Sequence, residues 1–526
     1  MTDRGQDRRD AERHGGGAPR AALARREISP EDVSRMYGKR RPQGDRRLTS
    51  RSRLAQPMGQ PPVRLTRRGR VWAWVACIFT AVVVLAGLAA YGVYAKLDGN
   101  LQVVNPFAGL VNRPAAGPRG VENILVLGSQ TRDGQGPGFG HDPGTDLSDN
   151  LILIHVDATH THASVVSIPR DTLVYEPACP SRTGNGTVPA NPDAIIDGAM
   201  NLGGPVCAVA TVEHLTGIRM DHFVRFDFNS FRTMVDVLGG VEVCLPQAVH
   251  DPESHLNLAA GRHLVTGNQA LAFVRTRHGV GNGGDLGRIQ LQQEFMSSLI
   301  QKLQSQNTLE DPVKLLDIAD AGTKALTVDP GLGSVASLLG QARSLRNLHT
   351  RDVTFITMPT TADPADPNRL LPAEPQDDII WQMLKTGQLW HGHLPTPRPG
   401  QVQVSVLNGT GIGGLAGQTA TGLRALGFDV VSAGNAPETT AATTVSYPGD
   451  DAAGAYVVAQ ALTNAPVAHN TGGSGPLALT IGSDFAGVRA VTTPASQQPS
   501  AGPPPVQARN AAQNICSGVP DANPNP

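Results

Sequence analysis

Residues 120–170 read GVENILVLGSQTRDGQGPGFGHDPGTDLSDNLILIHVDATHTHASVVSIPR, and this stretch decides the fold. It contains three short apolar runs, Glu122–Leu127, Leu151–Val156 and Ala163–Ile168. Apolar runs of this length, bounded by glycine or polar residues, are typical of buried strands. Because a glycine-rich loop separates the first run from the second, the sequence predicts a sheet whose strand ends border that loop.

Helical and strand patterns alternate along the rest of this region. The predicted helices are Val206–Leu215, Phe231–Leu238 and Asp285–Gln304, the last of them reached through Gly267–Val274, and the predicted strands are His222–Phe228, Val241–Leu245 and Val353–Met358. The alternation predicts an α/β domain, a layered sheet packed by helices, over residues 120–359. A second strand, glycine-rich turn, helix and strand begin at Gln401 and predict a small C-terminal α/β domain over residues 400–487.

The N-terminal segment differs sharply in charge from the rest of the chain. The formal net charge is −1, but residues 1–70 carry 19 Lys/Arg against 8 Asp/Glu, a net charge of +11. The uncharged stretch Val71–Ala95 follows, long enough to cross a hydrocarbon core of roughly 30 Å. A core helix of this length usually has a polar face, which this stretch lacks. A signal peptide has a shorter apolar core than this stretch. We therefore predict one transmembrane helix, with the basic arm in the cytoplasm by the positive-inside rule.

The remaining segments are assigned from their composition. Residues 1–70 are predicted to be a disordered arm, 96–119 a juxtamembrane linker, 360–399 a linker rich in Pro, Asp and Thr, and 488–526 a disordered tail. The positive charge of the arm would fix the orientation of the chain in the membrane or contact anionic lipid headgroups. Nucleic-acid binding is an alternative, but no interleaved aromatic residues support it, so no nucleic acid partner is expected.

The cysteines agree with an extracytoplasmic location for the residues after the span. Cys77 lies in the span, and the other four are Cys179, Cys207, Cys244 and Cys516. An even number in an oxidising compartment predicts two disulfides, with three possible pairings. Cys179–Cys207 is favoured because the two are close in sequence. Metal ligation is the alternative, but the C-x-x-C spacing that would support it does not occur.

Charged residues stand near the predicted ends of several elements in the first α/β domain. They are Arg132, Asp149, Arg170, Asp171, Arg275, Arg277, Asp285 and Arg288. Guanidinium groups bind phosphate oxygens in bidentate fashion, and carboxylates hold Mg²⁺, so this set is typical of phosphoryl transfer. Each arginine taken singly is more often part of a surface ion pair. Walker and kinase motifs, H-E-x-x-H and G-x-S-x-G do not occur, which argues against a nucleotide triphosphate donor and against common hydrolases.

The order of motifs resembles the LytR–CpsA–Psr family. The matching runs are LVLGSQTRDG, SDNLILIHVD, SIPRDT, GGPVCAVATVEHLTGI, DHFVRFDFNSFRTMVDVLGGVEV, TGNQALAFVRTRHGVGNGGDLGRIQLQQEF and VTFITMP, all within residues 120–359. The segment 401–487, with VLNGTGIGGLA, resembles the LytR C-terminal domain that often accompanies this family in actinobacteria. The resemblance implies an α/β sheet packed by helices, with an apolar pocket for a lipid tail.

The resemblance also implies a reaction and a set of site residues. Members move a glycopolymer from a polyprenyl-pyrophosphate carrier onto a muramic acid hydroxyl of peptidoglycan, outside a single-pass membrane anchor. Carried over by position, the residues that bind the pyrophosphate or take part in catalysis are Arg170, Arg275, Arg277, Asp285 and Arg288. Substrate contacts are implied for Arg132, Asp171 and Gln292, and Mg²⁺ or Mn²⁺ ligands for Asp149, Asp285 and Gln130.

This sequence departs from the family pattern at four places. Gln130 stands where the family has an Asp that helps to bind Mg²⁺, Leu147 and Leu291 each replace an arginine, and Ile195–Asp197 replaces a K-x-N motif. Asp133, Asp142 or Asp146 in the same loop are candidates to compensate for Gln130, as is the carbonyl oxygen of Gln130 itself. The alternative function is a non-catalytic envelope-binding or regulatory protein, which would not need the positioned arginines.

Overall fold

The structure is a computed structural model that describes residues 66–129, 146–182, 186–277, 285–304, 312–464, 467–471, 475–489 and 506–513. In chain order the strands are β1 (Gln102–Val103), β2 (Glu122–Ser129), β3 (Ser148–Val156), β4 (Ala163–Ile168), β5 (Leu173–Glu176), β6 (Cys179–Pro180), β7 (Thr187–Val188), β8 (Asn191–Ile195), β9 (His222–Asp227), β10 (Val241–Leu245), β11 (Val249–Asp251), β12 (Leu256–Leu258), β13 (Gly261–Val265), β14 (Leu326–Val328), β15 (Val353–Thr357), β16 (Thr360–Ala362), β17 (Leu370–Pro372), β18 (Gln403–Asn408), β19 (Asp429–Asn435), β20 (Thr444–Tyr447), β21 (Val467–Asn470), β22 (Leu477–Ile481) and β23 (Ala508–Asn510). The helices are α1 (Arg67–Asn100), α2 (Ala199–Thr216), α3 (Phe228–Val237), α4 (Gly267–Arg275), α5 (Asp285–Gln304), α6 (Pro312–Ala325), α7 (Val335–Ser344), α8 (Gln376–Lys385), α9 (Leu415–Ala425) and α10 (Ala452–Gln460). The predicted disordered arm lies almost wholly outside the described residues.

The helix α1 contains the predicted span and extends beyond it at both ends. By length and composition it is apolar enough to cross a membrane. Its apolar side chains, such as Trp72 and Leu85, are exposed, as a lipid-facing surface would be. At its C-terminal end Lys96 Nζ lies 2.9 Å from Asp320 Oδ1, and the Asn100 amide donates to the same carboxylate at 3.1 Å. The last turn of the helix is therefore tied to α6.

The main sheet confirms the α/β architecture and the three strands that were predicted first. Its strand order is β1-β14-β9-β2-β3-β4-β15-β23. The strand β2 is parallel to β9 and antiparallel to β3, while β4 is antiparallel to β3 and parallel to β15. Leu125, Leu127 and Leu153 in the centre of the sheet are fully buried. Helices cover both faces, which explains why these strands read as continuous apolar runs.

The connection from β9 to α3 shows how the sequence starts a helix at the edge of this sheet. Asp227 ends β9 in an extended conformation, and its side chain accepts a hydrogen bond from the Ser230 N–H at 2.8 Å. This N-cap satisfies a helix donor that would otherwise be unpaired. The chain therefore turns directly from β9 into α3, whose first residue, Phe228, faces the site described below.

The second domain is a separate sheet, as predicted. Its strand order is β19-β18-β22-β20-β21, with α9 after β18 and α10 after β20. It packs on the first domain through α8, where the buried Tyr447 donates a hydrogen bond to Asp378 Oδ2 at 2.8 Å. The Gln382 side chain donates to the Gly449 carbonyl at 3.0 Å across the same contact.

The disulfide Cys179–Cys207 is present, as predicted. It joins β6 to α2, and Cys207 is fully buried. Cys244 is also disulfide-bonded. The remaining member of the predicted pairs, Cys516, lies outside the described residues.

Two predicted linkers contain ordered structure instead. Within 96–119, β1 pairs with the edge strand β14, and Arg113 forms a bidentate contact with the buried Glu213. Within 360–399, β16 and β17 form a hairpin and α8 buries Trp381. The Pro- and Asp-rich composition misled the prediction, because a single buried face on one short helix is enough to hold the segment against a domain.

The predicted disordered tail also returns to the main sheet. Residues 508–510 form β23, which pairs antiparallel with β15, and the Ala511 N–H donates to the Val353 carbonyl at 2.9 Å. Ala511 is fully buried, and its carbonyl accepts hydrogen bonds from Ser297 and Gln301 of α5. A three-residue strand is too short for its apolar pattern to be recognised in the sequence. It is stabilised by hydrogen bonds to the edge of a sheet that other parts of the chain form.

Candidate functional site

An apolar cavity of about 230 Å³ lies between the main sheet and helices α3, α4, α5 and α6. Most of its lining is aliphatic or aromatic, including Ile152, Phe226, Phe231, Met234, Leu271, Phe295 and Leu299. The helix α5 contributes Arg288, Gln292, Phe295, Met296 and Leu299, which recur at helical spacing on one face. From Arg288 to Leu299 this face runs about 16 Å, given a rise of 1.5 Å per residue. The shape and lining suit an aliphatic chain.

One end of the cavity carries a cluster of charges, here named the charged mouth: Asp149, Arg170, Arg275 and Arg288. Arg170 forms an ion pair with the Asp149 carboxylate. Arg288 Nη1 lies 3.8 Å from Asp149 Oδ1, and its Nη2 donates to the Asp149 carbonyl at 3.2 Å. Arg288 is only 3% exposed. Guanidinium groups bind phosphate oxygens in bidentate fashion, so this group of arginines suits a phosphate.

Arg275 reaches the mouth from the C-terminal end of a helix. Two residues apart, Arg275 and Arg277 would share a face in an extended segment, but Arg275 is the last residue of α4 and the extended backbone begins at Thr276. The Arg275 guanidinium lies 4.9 Å from the centre of the Phe228 ring and lines the cavity. Arg277 does not line the cavity; its backbone N–H donates to Asp251 Oδ2 at 3.1 Å.

Two further carboxylates lie beside Arg170. Asp171 Oδ1 is 3.6 Å from Arg170 Nε and 3.9 Å from Arg369 Nη1. Burial raises the pKa of Asp197 to about 6, with Arg170 opposing the rise and the charges of Asp171 and Asp149 adding to it. The sequence reasoning missed Asp197 and Arg369 as site residues. The only signal for Asp197 was its departure from the family's K-x-N pattern.

Gln292 lies on the cavity wall, and its amide donates to the Val274 carbonyl at 3.0 Å. This bond ties α5 to α4 just before Arg275. Leu291, where the family often has an arginine, is buried in the cluster around Phe273 and Phe295 rather than in the cavity wall. Gln130, Arg132, Asp133, Asp142 and the side chain of Asp285 lie outside the described residues.

Asp146 anchors a second charged group near the same edge. Arg225 Nη2 lies 2.8 Å from both oxygens of Asp146, and Ser129 Oγ donates to Asp146 at 2.5 Å. Arg182 Nη1 is 3.7 Å from the same carboxylate. Asp146 is therefore engaged by protein partners, which argues against its use as the replacement for the Asp missing at Gln130. Arg225 and Arg182 were not predicted, because they come together only through the fold.

Comparison with known proteins gives consistent similarities. The model of the LytR–CpsA–Psr family matches residues 101–385, and the model described as LytR cell envelope-related transcriptional attenuator matches residues 401–485. The cell wall biosynthesis protein LcpA of Corynebacterium glutamicum is 30% identical over 479 residues, covering 81% of this chain and 90% of that protein. The polyisoprenyl-teichoic acid–peptidoglycan teichoic acid transferase TagU of Bacillus anthracis is 29% identical over 44% of this chain and 71% of its own length. A LytR-Csp2A-Psr enzyme structure from Actinomyces oris has 24% identity and a TM-score of 0.41, covering 54% of this chain and 96% of that one.

Proposed function

Because this chain belongs to the LytR–CpsA–Psr family, we propose that it is a phosphotransferase that moves a glycopolymer from a polyprenyl-pyrophosphate carrier onto peptidoglycan. One observation carries the proposal: an apolar cavity ends at a mouth where Arg170 and Arg288 contact the Asp149 carboxylate and Arg275 lines the wall. A lipid pyrophosphate has the same two parts, an aliphatic chain and an anionic head. The relative TagU, by its name, transfers a polyisoprenyl-linked teichoic acid to peptidoglycan.

The residues of the mouth account for donor binding. The prenyl chain enters between α3, α5 and α6, and the pyrophosphate meets Arg170, Arg275 and Arg288. Arg170 and Arg288 release part of their contact with Asp149 as they take up phosphate oxygens, which offer stronger bidentate contacts than one shared carboxylate. The muramic acid hydroxyl then attacks the phosphorus next to the polymer, polyprenyl phosphate leaves with the electron pair of the broken P–O bond, and the hydroxyl proton passes to the departing phosphate.

The donor set also fits a hard cation. Asp149, Asp171 and Asp197 offer oxygen atoms, which Mg²⁺ and Mn²⁺ prefer. We propose that Asp149 is the principal ligand, with Gln130 and Asp285 as further oxygen donors. When bound, the cation neutralises charge that develops on the pyrophosphate oxygens.

A metal titration tests this part of the proposal. Asp149→Asn should sharply raise the Mn²⁺ concentration needed for half-maximal transfer and weaken Mn²⁺ binding seen by electron paramagnetic resonance. Gln130→Asp should shift both in the opposite direction, because it adds a charged ligand. If chelation leaves transfer unchanged, the arginines alone stabilise the charge.

We also propose that the N-terminus is cytoplasmic and that both α/β domains lie outside the cell membrane. The basic arm before α1 and the disulfide Cys179–Cys207 support this orientation. An alkaline phosphatase fusion at the C-terminus should be active and one at the N-terminus silent. The reverse pattern would contradict an enzyme that acts on peptidoglycan.

Transfer itself is tested with purified full-length chain. Radiolabelled lipid-pyrophosphate-linked polymer and peptidoglycan strands should yield polymer attached to peptidoglycan together with polyprenyl phosphate in equal amounts. A chain that binds the lipid donor but releases no polyprenyl phosphate would favour the non-catalytic binding role.

A further inference from the structure

A second cavity, of about 600 Å³, lies on the opposite face of α5 from the apolar cavity. Its walls come from the end of β10 and the loop after it, from α5, and from the tail segment 506–513. Five glutamines line it: Gln247, Gln290, Gln293, Gln507 and Gln513. We name it the polar cavity. It exists only because the tail returns to the main sheet as β23.

Arg509 and Glu294 give the polar cavity its charge. Arg509 Nε and Nη2 are both buried and have no hydrogen-bond partner among the described residues. Glu294 is 7% exposed and accepts the Cys244 N–H at 2.8 Å. Burial raises the pKa of Glu294 to about 7, so its carboxyl carries only part of its charge near neutral pH. Burying guanidinium donors without acceptors is unfavourable, and a ligand with an anionic group would supply the acceptors.

The polar cavity lies at the same edge of the sheet as the charged mouth. Gln293 donates to Ser167 Oγ at 3.4 Å and to Thr357 Oγ1 at 3.1 Å. Ser167 precedes Arg170 by three residues, and Gln290 follows Arg288 by two on α5. The Gln507 carbonyl accepts from the Thr357 N–H at 2.9 Å at this edge. The two cavities are therefore separated by the width of one helix.

We propose that the polar cavity binds the acceptor, a peptidoglycan glycan strand, and holds it beside the phosphorus that its hydroxyl attacks. This inference rests on the proposed transferase function. The donor already occupies the apolar side of α5, so the acceptor needs another surface at the same edge. Glutamine amides both donate and accept, which suits sugar hydroxyl and N-acetyl groups. Arg509 suits a carboxylate of the muramyl peptide, through paired N–H donors.

Direct binding is the first test. The full chain in detergent is titrated by calorimetry with a soluble disaccharide–peptide fragment of peptidoglycan. Arg509→Gln should weaken binding roughly tenfold or more, because it removes a charge-assisted contact, and Arg509→Lys should restore part of it. Arg351→Gln is the matched control: Arg351 is an exposed arginine whose backbone carbonyl contacts Asn510 of β23, and its substitution should leave binding unchanged.

Kinetics separate acceptor binding from a structural role. Arg509→Gln should raise KM for the acceptor about tenfold while KM for the lipid donor and the melting temperature stay at the parent values. If Arg509→Gln lowers the melting temperature, Gln513→Ala replaces it, since Gln513 is exposed at the rim of the cavity. It should weaken fragment binding more mildly.

Three results would overturn the inference: parent-like fragment binding in both variants, an equal rise of the donor KM, or no fragment binding by the parent chain. The binding assay needs no turnover. A chain that binds the fragment through Arg509 but transfers nothing would therefore contradict the proposed function while leaving the polar cavity as a glycan site.

Discussion

The two domains of this chain are both α/β sheets packed by helices, but very different side chains lie at their strand ends. In the first domain the strand ends carry Asp149 and Arg170, which form an ion pair beside an apolar cavity. In the second domain β18 ends at Asn408, whose side chain donates to the Ile412 carbonyl at 2.7 Å and accepts from the Thr410 N–H at 3.0 Å. The side-chain amide of Asn408 therefore bonds to its own loop. The two domains thus share only the α/β class, and their chemistry depends on which side chains the strand ends present.

The largest effect should follow from removing an arginine of the charged mouth. Arg275→Ala or Arg288→Ala should each lower kcat/KM for transfer by roughly 30- to 1000-fold, or about 2–4 kcal/mol, because each loses a contact to the charge that develops on phosphate. Lysine should rescue poorly at either position, since it lacks the planar pair of donors. Steady-state transfer assays measure the loss.

The matched change in the second domain is Arg424→Ala. Arg424 is an exposed arginine of α9 that donates to the Val430 carbonyl at 3.0 Å, and its loss should leave transfer at the parent rate. Full activity of both mouth variants, or an equal loss in Arg424→Ala, would break the comparison between the domains.

Acid should lower the stability of the first domain through a buried histidine, for which the second domain's exposed His469 is the control. His155 of β3 is fully buried, its Nδ1 lies 2.7 Å from Asn123 Oδ1, and burial lowers its pKa to about 4, with Asp157 opposing. Between pH 6.5 and 4 the unfolded chain binds a proton that the folded chain excludes, so stability falls as the pH falls through this window. At pH 4.5 this amounts to roughly 2–3 kcal/mol.

The measurement is urea unfolding of parent and His155→Gln at pH 7 and pH 4.5. The variant should lose roughly 2–3 kcal/mol less than the parent on acidification. His469→Gln, at an exposed histidine of the second domain, should follow the parent. Identical acid losses in all three chains would show that His155 is not the cause.

The smallest effect should come from the contact between the domains. Tyr447→Phe removes the hydrogen bond to Asp378 and leaves the ring in place. Stability should fall by about 1–2 kcal/mol, because the half-buried Asp378 carboxylate loses one donor and keeps that of Asn470, while transfer kinetics remain unchanged. A drop in kcat of tenfold or more would instead make the second domain part of the catalytic unit.

The sequence was most informative where one residue pattern was sufficient for an element. The continuous apolar runs of β2, β3 and β4 needed no tertiary information, since strands buried on both faces are apolar throughout. The strand β23 and the helix α8 were missed because short edge strands and single-faced helices draw their stability from a surface that only the fold creates.

The same distinction applies to the site. Arg170 and Asp149 stand beside strand ends in the sequence, and the structure pairs them. Arg225 and Asp146 are separated by 79 positions, and no spacing rule connects them. Arg509 lies in a proline-rich tail and enters a cavity only because β23 pairs with β15. Local motifs thus identified the charged mouth, and long-range pairing determined what surrounds it.

Mass spectrometry of the lipid that co-purifies with the full-length chain tests the central claim most directly. The chain is extracted from membranes in mild detergent, alongside the double variant Arg275→Ala/Arg288→Ala. We expect a polyprenyl-pyrophosphate-linked saccharide on the parent and its depletion from the double variant, because the mouth binds the pyrophosphate that distinguishes this lipid from bulk phospholipid. A parent chain that carries only membrane phospholipid, in the same amount as the variant, would contradict the account.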